Sequence, residues 1–103
     1  MSAVKTEKVK LVTIITPFVL EERIAEELIQ LGATGFSTSK LNGHGAHGPR
    51  KYGIIDGANI RIEVIVHAEL AQEILSQLGT RYPKDALVAY SMDVEAIPPG
   101  HFG

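Results

Sequence analysis

IITPFVLEERIAEELIQLGATGFSTSKLNGHG, residues 14–45, runs from a strand through a helix into a second strand and out into a glycine-rich loop. Residues 9–16, VKLVTIIT, are β-branched and short, and Pro17 lacks the N–H a ladder needs, so a first strand ends there. Between residues 20 and 31, Leu20, Ile24, Leu28 and Leu31 recur at helical spacing. Glu21, Glu22, Glu26 and Glu27 are read as the solvated face, and Gly32 as a helix stop. Residues 36–41 then read as a second strand.

The segment that follows, NGHGAHGPRKYGIIDGA at 42–58, holds five glycines, one proline and two histidines. A connection between neighbouring strands usually takes about two to five residues, so a segment of this length and composition is read as a mobile, ligand-responsive loop. Beyond it, residues 59–67 alternate, with Ile60, Ile62, Val64 and Val66 on one face, and form a third strand. Residues 69–78 carry Leu70, Ile74 and Leu78 on a stripe with Ala71 and Leu75 beside it, a second helix with Gly79 read as its stop. Residues 86–97 alternate again, Val88, Tyr90, Met92, Val94 and Ala96 opposing Ser91, Asp93 and Glu95.

The order βαββαβ predicts an α+β, ferredoxin-like domain with both helices on one face of a four-stranded antiparallel sheet. One domain over 1–103 is expected, with a short tail at 98–103, because 103 residues at 45% apolar composition supply one core. The first strand is apolar on both sides, Leu11 and Ile15 against Val12 and Ile14. Burying a side chain of this kind is worth roughly 1.5–3 kcal/mol, so the sheet face away from the helices is expected to be covered by self-association.

Composition narrows the function. A net charge of −2 and a pI near 6.0 argue against nucleic acid as a partner, which needs a basic surface. With no cysteine, thiolate catalysis and Cys-based zinc sites are excluded. No apolar run approaches the roughly 18 residues of a membrane span, and MSAVKTEKVK has no signal-peptide core, so the expected location is cytoplasmic with no direct membrane insertion. No serine, histidine or carboxylate constellation has a recognisable catalytic spacing, so no catalytic residues are assigned and the chain is not read as an enzyme.

Residues 14–45 resemble the opening half of the PII signalling-protein superfamily, in which a Pro-Phe pair ends strand one and a Gly-x-x-Gly-Phe/Met segment enters strand two. A Gly-x-Gly then opens a long loop. The matching positions are Pro17 and Phe18, Gly32, Gly35 with Phe36, and Gly43 with Gly45; NIRIEVIV and YSMDVEAI fit the later strands. The departures are specific. Thr16 stands where the nitrogen-regulating branch has lysine, RYPKDAL (81–87) replaces its Asp-Gly-Lys phosphate loop, and IPPGHFG replaces its paired arginines. These features are closer to the PII-like proteins associated with carboxysomes and bicarbonate transport.

The resemblance implies a homotrimer and no cofactor, with ADP or AMP, and cyclic AMP as a further candidate, bound in clefts between subunits. Bicarbonate is a candidate second ligand. The implied partner is a bicarbonate transporter or a carboxysome component, in inorganic-carbon metabolism and carbon fixation. Carried over residue by residue, Gly35, Phe36, Ser37 and Thr38 would read the adenine edge, and Glu63, Val64 and Ile65 would lie against the ribose. Gly43 and Gly45 would let the loop base approach the phosphates. Arg81 and Lys84, with Arg50 and Lys51 in the loop, are the candidate phosphate or bicarbonate contacts. Tyr52 stands near the nucleotidylated tyrosine of the nitrogen branch but has different flanks, and no modification is assigned to it. The alternative is a divalent-metal-binding trimer resembling the cation-tolerance proteins, using His44 and His47, which lie three apart in the loop, with His67 and His101 far off in sequence.

Overall fold

The computed structural model describes residues 4–41, 59–84 and 86–103. Strand β1 (Glu7–Pro17) passes through a single 3-10 turn (Phe18–Leu20) into helix α1 (Glu21–Leu31). Strands β2 (Ser37–Leu41) and β3 (Asn59–Val66) follow, then helix α2 (Ala68–Arg81) and strand β4 (Val88–Ala96). The sheet order is β2-β3-β1-β4 with every pairing antiparallel, the expected ferredoxin-like arrangement. Gly43, His44, Gly45, His47, Arg50, Lys51 and Tyr52, with the rest of the 42–58 loop, lie outside the described residues.

The alternation in β3 is realised residue by residue, with Ile60, Ile62, Val64 and Val66 all buried. Together with Val12 and Ile14 of β1 they meet Ile24 and Leu28 of α1 and Ala71, Ile74 and Leu78 of α2 in one core. Gly32 closes α1 in the left-handed conformation at φ 114°, and the N–H of Ala33 reaches back to the Leu28 carbonyl. Glycine enters that region without the Cβ penalty, so the predicted stop stands.

Two expectations are corrected. Gly79 is no stop, for α2 continues two residues beyond it to Arg81. The terminator is Pro83: its ring pushes the preceding residue out of the helical region, and Tyr82 has φ −117° and ψ 144°. A glycine inside a helix costs about 0.8–1 kcal/mol relative to alanine. A Cβ at Gly79 would meet nothing within 4 Å. Gly79→Ala is therefore expected to raise stability by about 0.5–1 kcal/mol, read as a higher urea midpoint at unchanged m-value.

Glu27 is the second correction, because it is not solvated. At 6% exposure it accepts hydrogen bonds from the Tyr82 hydroxyl, from Gln77 Nε2 at 2.8 Å and from Arg81 Nη1 at 3.4 Å. The reason is geometric: Ile24, Glu27, Leu28 and Leu31 are the i, i+3, i+4, i+7 set of a single helix face. A carboxylate on that stripe is tolerated because α2 and its exit supply donors. Arg23, one turn before Glu27, lies over the Tyr82 ring at 5.4 Å.

On the face away from the helices the register aligns Ile65, Leu11 and Met92 across three strands. Thr13 stands opposite Tyr90 and Ile15 opposite Val88 on the same face. Val88, Tyr90 and Met92 are 45%, 46% and 51% exposed, so this chain by itself leaves an apolar face in water, as the two-sided β1 predicts.

Candidate functional site

The antiparallel pairing of β2 with β3 sets Ser37 directly opposite Glu63, and that of β1 with β3 sets Leu11 opposite Ile65, all on the open face. At the end of the sheet where β2 begins, these residues line a cleft of about 520 Å³. Gly35, Phe36, Ser37, Glu63, Val64 and Ile65, six of the residues named from the sequence, line it together. A Cβ at Gly35 would meet nothing within 4 Å, so the space around that residue is open. Thr38 follows Ser37 on β2 and is exposed, but it does not line this cleft.

The remaining candidates are elsewhere. Arg81, at the end of α2, is turned to Glu27 and lines a separate groove on the helical side with Leu31, Glu73 and Gln77. Lys84 is exposed in the turn after α2. Among the described residues no lysine or arginine lines the cleft; its ionisable members are Glu63 and His101. His101 and its neighbour Phe102 line it too, which the sequence did not reveal, since Glu63 and His101 lie 38 positions apart and no periodic pattern connects them.

After α2, two residues of the 81–87 segment turn inward. Tyr82 and Ala86 are buried, the Ala86 N–H bonds the Pro83 carbonyl at 3.0 Å, and the Ala86 carbonyl accepts the hydroxyl of buried Thr16 at 3.4 Å. Burial pushes the Tyr82 hydroxyl up to about 12, with the hydrogen bond to the Glu27 carboxylate adding to the shift. The two departures noted in the sequence, Thr16 and the RYPKDAL segment, therefore meet at Ala86.

Just past β3, at the same end of the sheet as the cleft, the imidazole Nε2 of His67 lies 2.6 Å from Glu7 Oε2. The Gly100 N–H donates to Glu7 Oε1 at 2.7 Å. That backbone donor first, and His67 second, hold the Glu7 carboxyl below its ordinary range. Among the described residues no group of three or more His, Cys, Asp or Glu is placed to hold a metal, and no helix is long and apolar enough to cross a membrane.

Residues 9–101 match the family model described as nitrogen regulatory protein P-II. Among solved structures, the chain is similar to a PII-like signalling protein from Thermus thermophilus, at 36% identity over 90% of this chain and 92% of that one, with a TM-score of 0.75. It is also similar to the PII-like protein of Thiomonas intermedia bound to ADP and bicarbonate, at 25% identity over 98% of this chain and all of that one, with a TM-score of 0.83. The apo form of the Thiomonas protein superposes with a TM-score of 0.74 at 22% identity, over 91% of this chain and 97% of that one, which shows the common fold. No curated protein matches the chain by sequence.

Proposed function

The chain belongs to the P-II family, and on that premise we propose that it is a homotrimeric, non-enzymatic regulator that binds adenine nucleotides in clefts between its subunits. ADP and AMP are the favoured ligands, cyclic AMP is a further candidate, and bicarbonate is the second ligand. The observation that carries this is the cleft on the open sheet face, where Gly35, Phe36, Ser37, Glu63, Val64 and Ile65 converge beside the apolar patch that a second subunit would cover. The Thiomonas protein bound to ADP and bicarbonate has the same fold over the full length of this chain's match.

In the complex, the backbone from Gly35 to Thr38 reads the adenine edge and Glu63 to Ile65 lie along the ribose. No cation of the same chain lines the cleft among the described residues, so the phosphate charge is balanced from outside it. Arg81 and Lys84 serve the cleft of a neighbouring subunit in this scheme, while Gly43, Gly45, Arg50 and Lys51 act from the loop. Nucleotide bound against the loop base biases its conformation because only differential contact with two states can shift their populations. The ordered loop then presents a surface to a cytoplasmic partner in inorganic-carbon metabolism, a bicarbonate transporter or a carboxysome component.

Titration calorimetry with AMP, ADP, ATP, cyclic AMP and bicarbonate tests this. ADP and AMP are expected to bind and ATP to bind more weakly; binding of a divalent metal with no adenine nucleotide would overturn the proposal in favour of the loop histidines. Because the space around Gly35 is open, Gly35→Val is expected to leave the thermal midpoint within a few degrees of wild type while weakening ADP by about tenfold or more. Equal ADP affinity in that variant would remove the start of β2 from the site.

A further inference from the structure

The segment 97–103 leaves β4 exposed and stays at that end of the sheet, where β1 begins and β3 ends. Gly100 makes the turn at φ 85°, a left-handed conformation that favours glycine, and its N–H thereby meets Glu7. Further on, the carbonyl of Gly103 accepts the His67 N–H at 2.6 Å. A Cβ on Gly103 would stand 2.7 Å from the Gly32 carbonyl, so the chain is threaded against the segment that leads into Gly35. Glu7 therefore ties the turn at Gly100 and the residue that receives Gly103, His67, to the start of β1.

Between those ties, His101 and Phe102 line the cleft together with Gly35 and Ser37. Phe102 is half-buried although the residues before it are exposed. Phe36 lines the same cleft, so the space carries an aromatic ring from the entry to β2 and another from the tail. A purine is a flat, polarisable surface that gains from an aromatic side chain.

We propose that residues 97–103 form a clasp that completes the nucleotide site, with Phe102 packing on the purine and Glu7 holding the clasp closed through Gly100 and His67. This rests on the nucleotide reading of the cleft and adds a wall and a coupling to it. Ligand binding and clasp closure are then linked: a nucleotide touching Phe102 favours the closed tail, and a closed tail favours the nucleotide. Glu7 acts as a positioning residue and touches no ligand.

The test uses the full chain and a short series of variants. Phe102→Ala is expected to weaken ADP and AMP by about tenfold, within the range of a lost base–aromatic stack, and Phe102→Tyr to restore them. Glu7→Ala is expected to weaken both by a smaller factor and to speed hydrogen exchange at the His67 and Gly100 amides. Glu7→Gln, which keeps one acceptor oxygen, should fall between Glu7→Ala and wild type. Gly103→Ala breaks the threading by a different route and should speed exchange at His67 without changing any charge. In wild type, ADP is expected to slow exchange at both amides. The nucleotide reading stands or falls on the wild-type titration. If wild type binds ADP and Phe102→Ala binds it equally well, or Glu7→Ala leaves the exchange at His67 and Gly100 unchanged, the clasp is overturned while the nucleotide site remains.

Discussion

Replacing Glu27 with alanine is expected to cost about 2–3 kcal/mol of stability, because it strips a buried hydroxyl of its acceptor. Tyr82 is 9% exposed and its hydroxyl has no other acceptor among the described hydrogen bonds. Gln77 and Arg81 stand closer to water and recover part of their loss there. At about 4–8 °C per kcal/mol for a domain of this size, the thermal midpoint should fall by roughly 10–20 °C, measured at fixed protein concentration. Tyr82→Phe should cost about 1–2 kcal/mol, and the double variant less than the sum, since each change removes the same bond. A loss below about 0.5 kcal/mol in Glu27→Ala would show that the three donors do not depend on it.

The same pair gives a signature in alkali. The ordinary tyrosine value is near 10 and that of Tyr82 is about 12, so between those values the native chain keeps a proton that the unfolded chain has released. Stability contributed by the neutral hydroxyl is whole below about pH 10 and is lost as pH rises through about 12. In Tyr82→Phe this part of the alkaline decline should be absent.

Met92→Asp is expected to convert the proposed trimer to a folded monomer. Met92 sits in the row Ile65–Leu11–Met92 on the open face and is half exposed in the single chain, so the core does not depend on it. Covering Val88, Tyr90 and Met92 would be worth roughly 1.5–3 kcal/mol for each fully buried aliphatic side chain, whereas a carboxylate placed under a second subunit without a partner costs several kcal/mol. Light scattering on a sizing column should report the mass of one chain, with the far-ultraviolet circular dichroism of wild type. ADP should weaken by more than about tenfold if the cleft is completed by the neighbour. A variant that keeps the wild-type mass would show that this face is not the interface.

Much of the fold was legible because its signals are local. Pro17 and Gly32 limit β1 and α1 through their own backbones, and the alternation of β3 states which side chains enter the core. Glu27 was legible too, since its spacing from Ile24 and Leu31 puts it on the buried stripe, but its acidic character weighed more heavily than its position. Gly79 misled for the opposite reason: the residue type suggested a stop while the true one, Pro83, stood four residues on. In the site, six of the cleft residues were marked only through the resemblance to the PII superfamily, carried by Gly32, Gly35 with Phe36 and the NIRIEVIV strand.

The sequence by itself determined the element order, the antiparallel α+β plan, the two-sided β1 and the glycine-bounded entry to β2. Each of these depends on backbone preference or on side-chain period within a few residues. Only the tertiary structure decided that Arg81 meets Glu27, that Thr16 meets Ala86, that Gly100 meets Glu7, and that His101 and Phe102 line the cleft. Those contacts join residues 54 to 93 positions apart in three of the cases, and such pairs arise from how the sheet and helices close on one core. Short-range propensity carries no record of that closure.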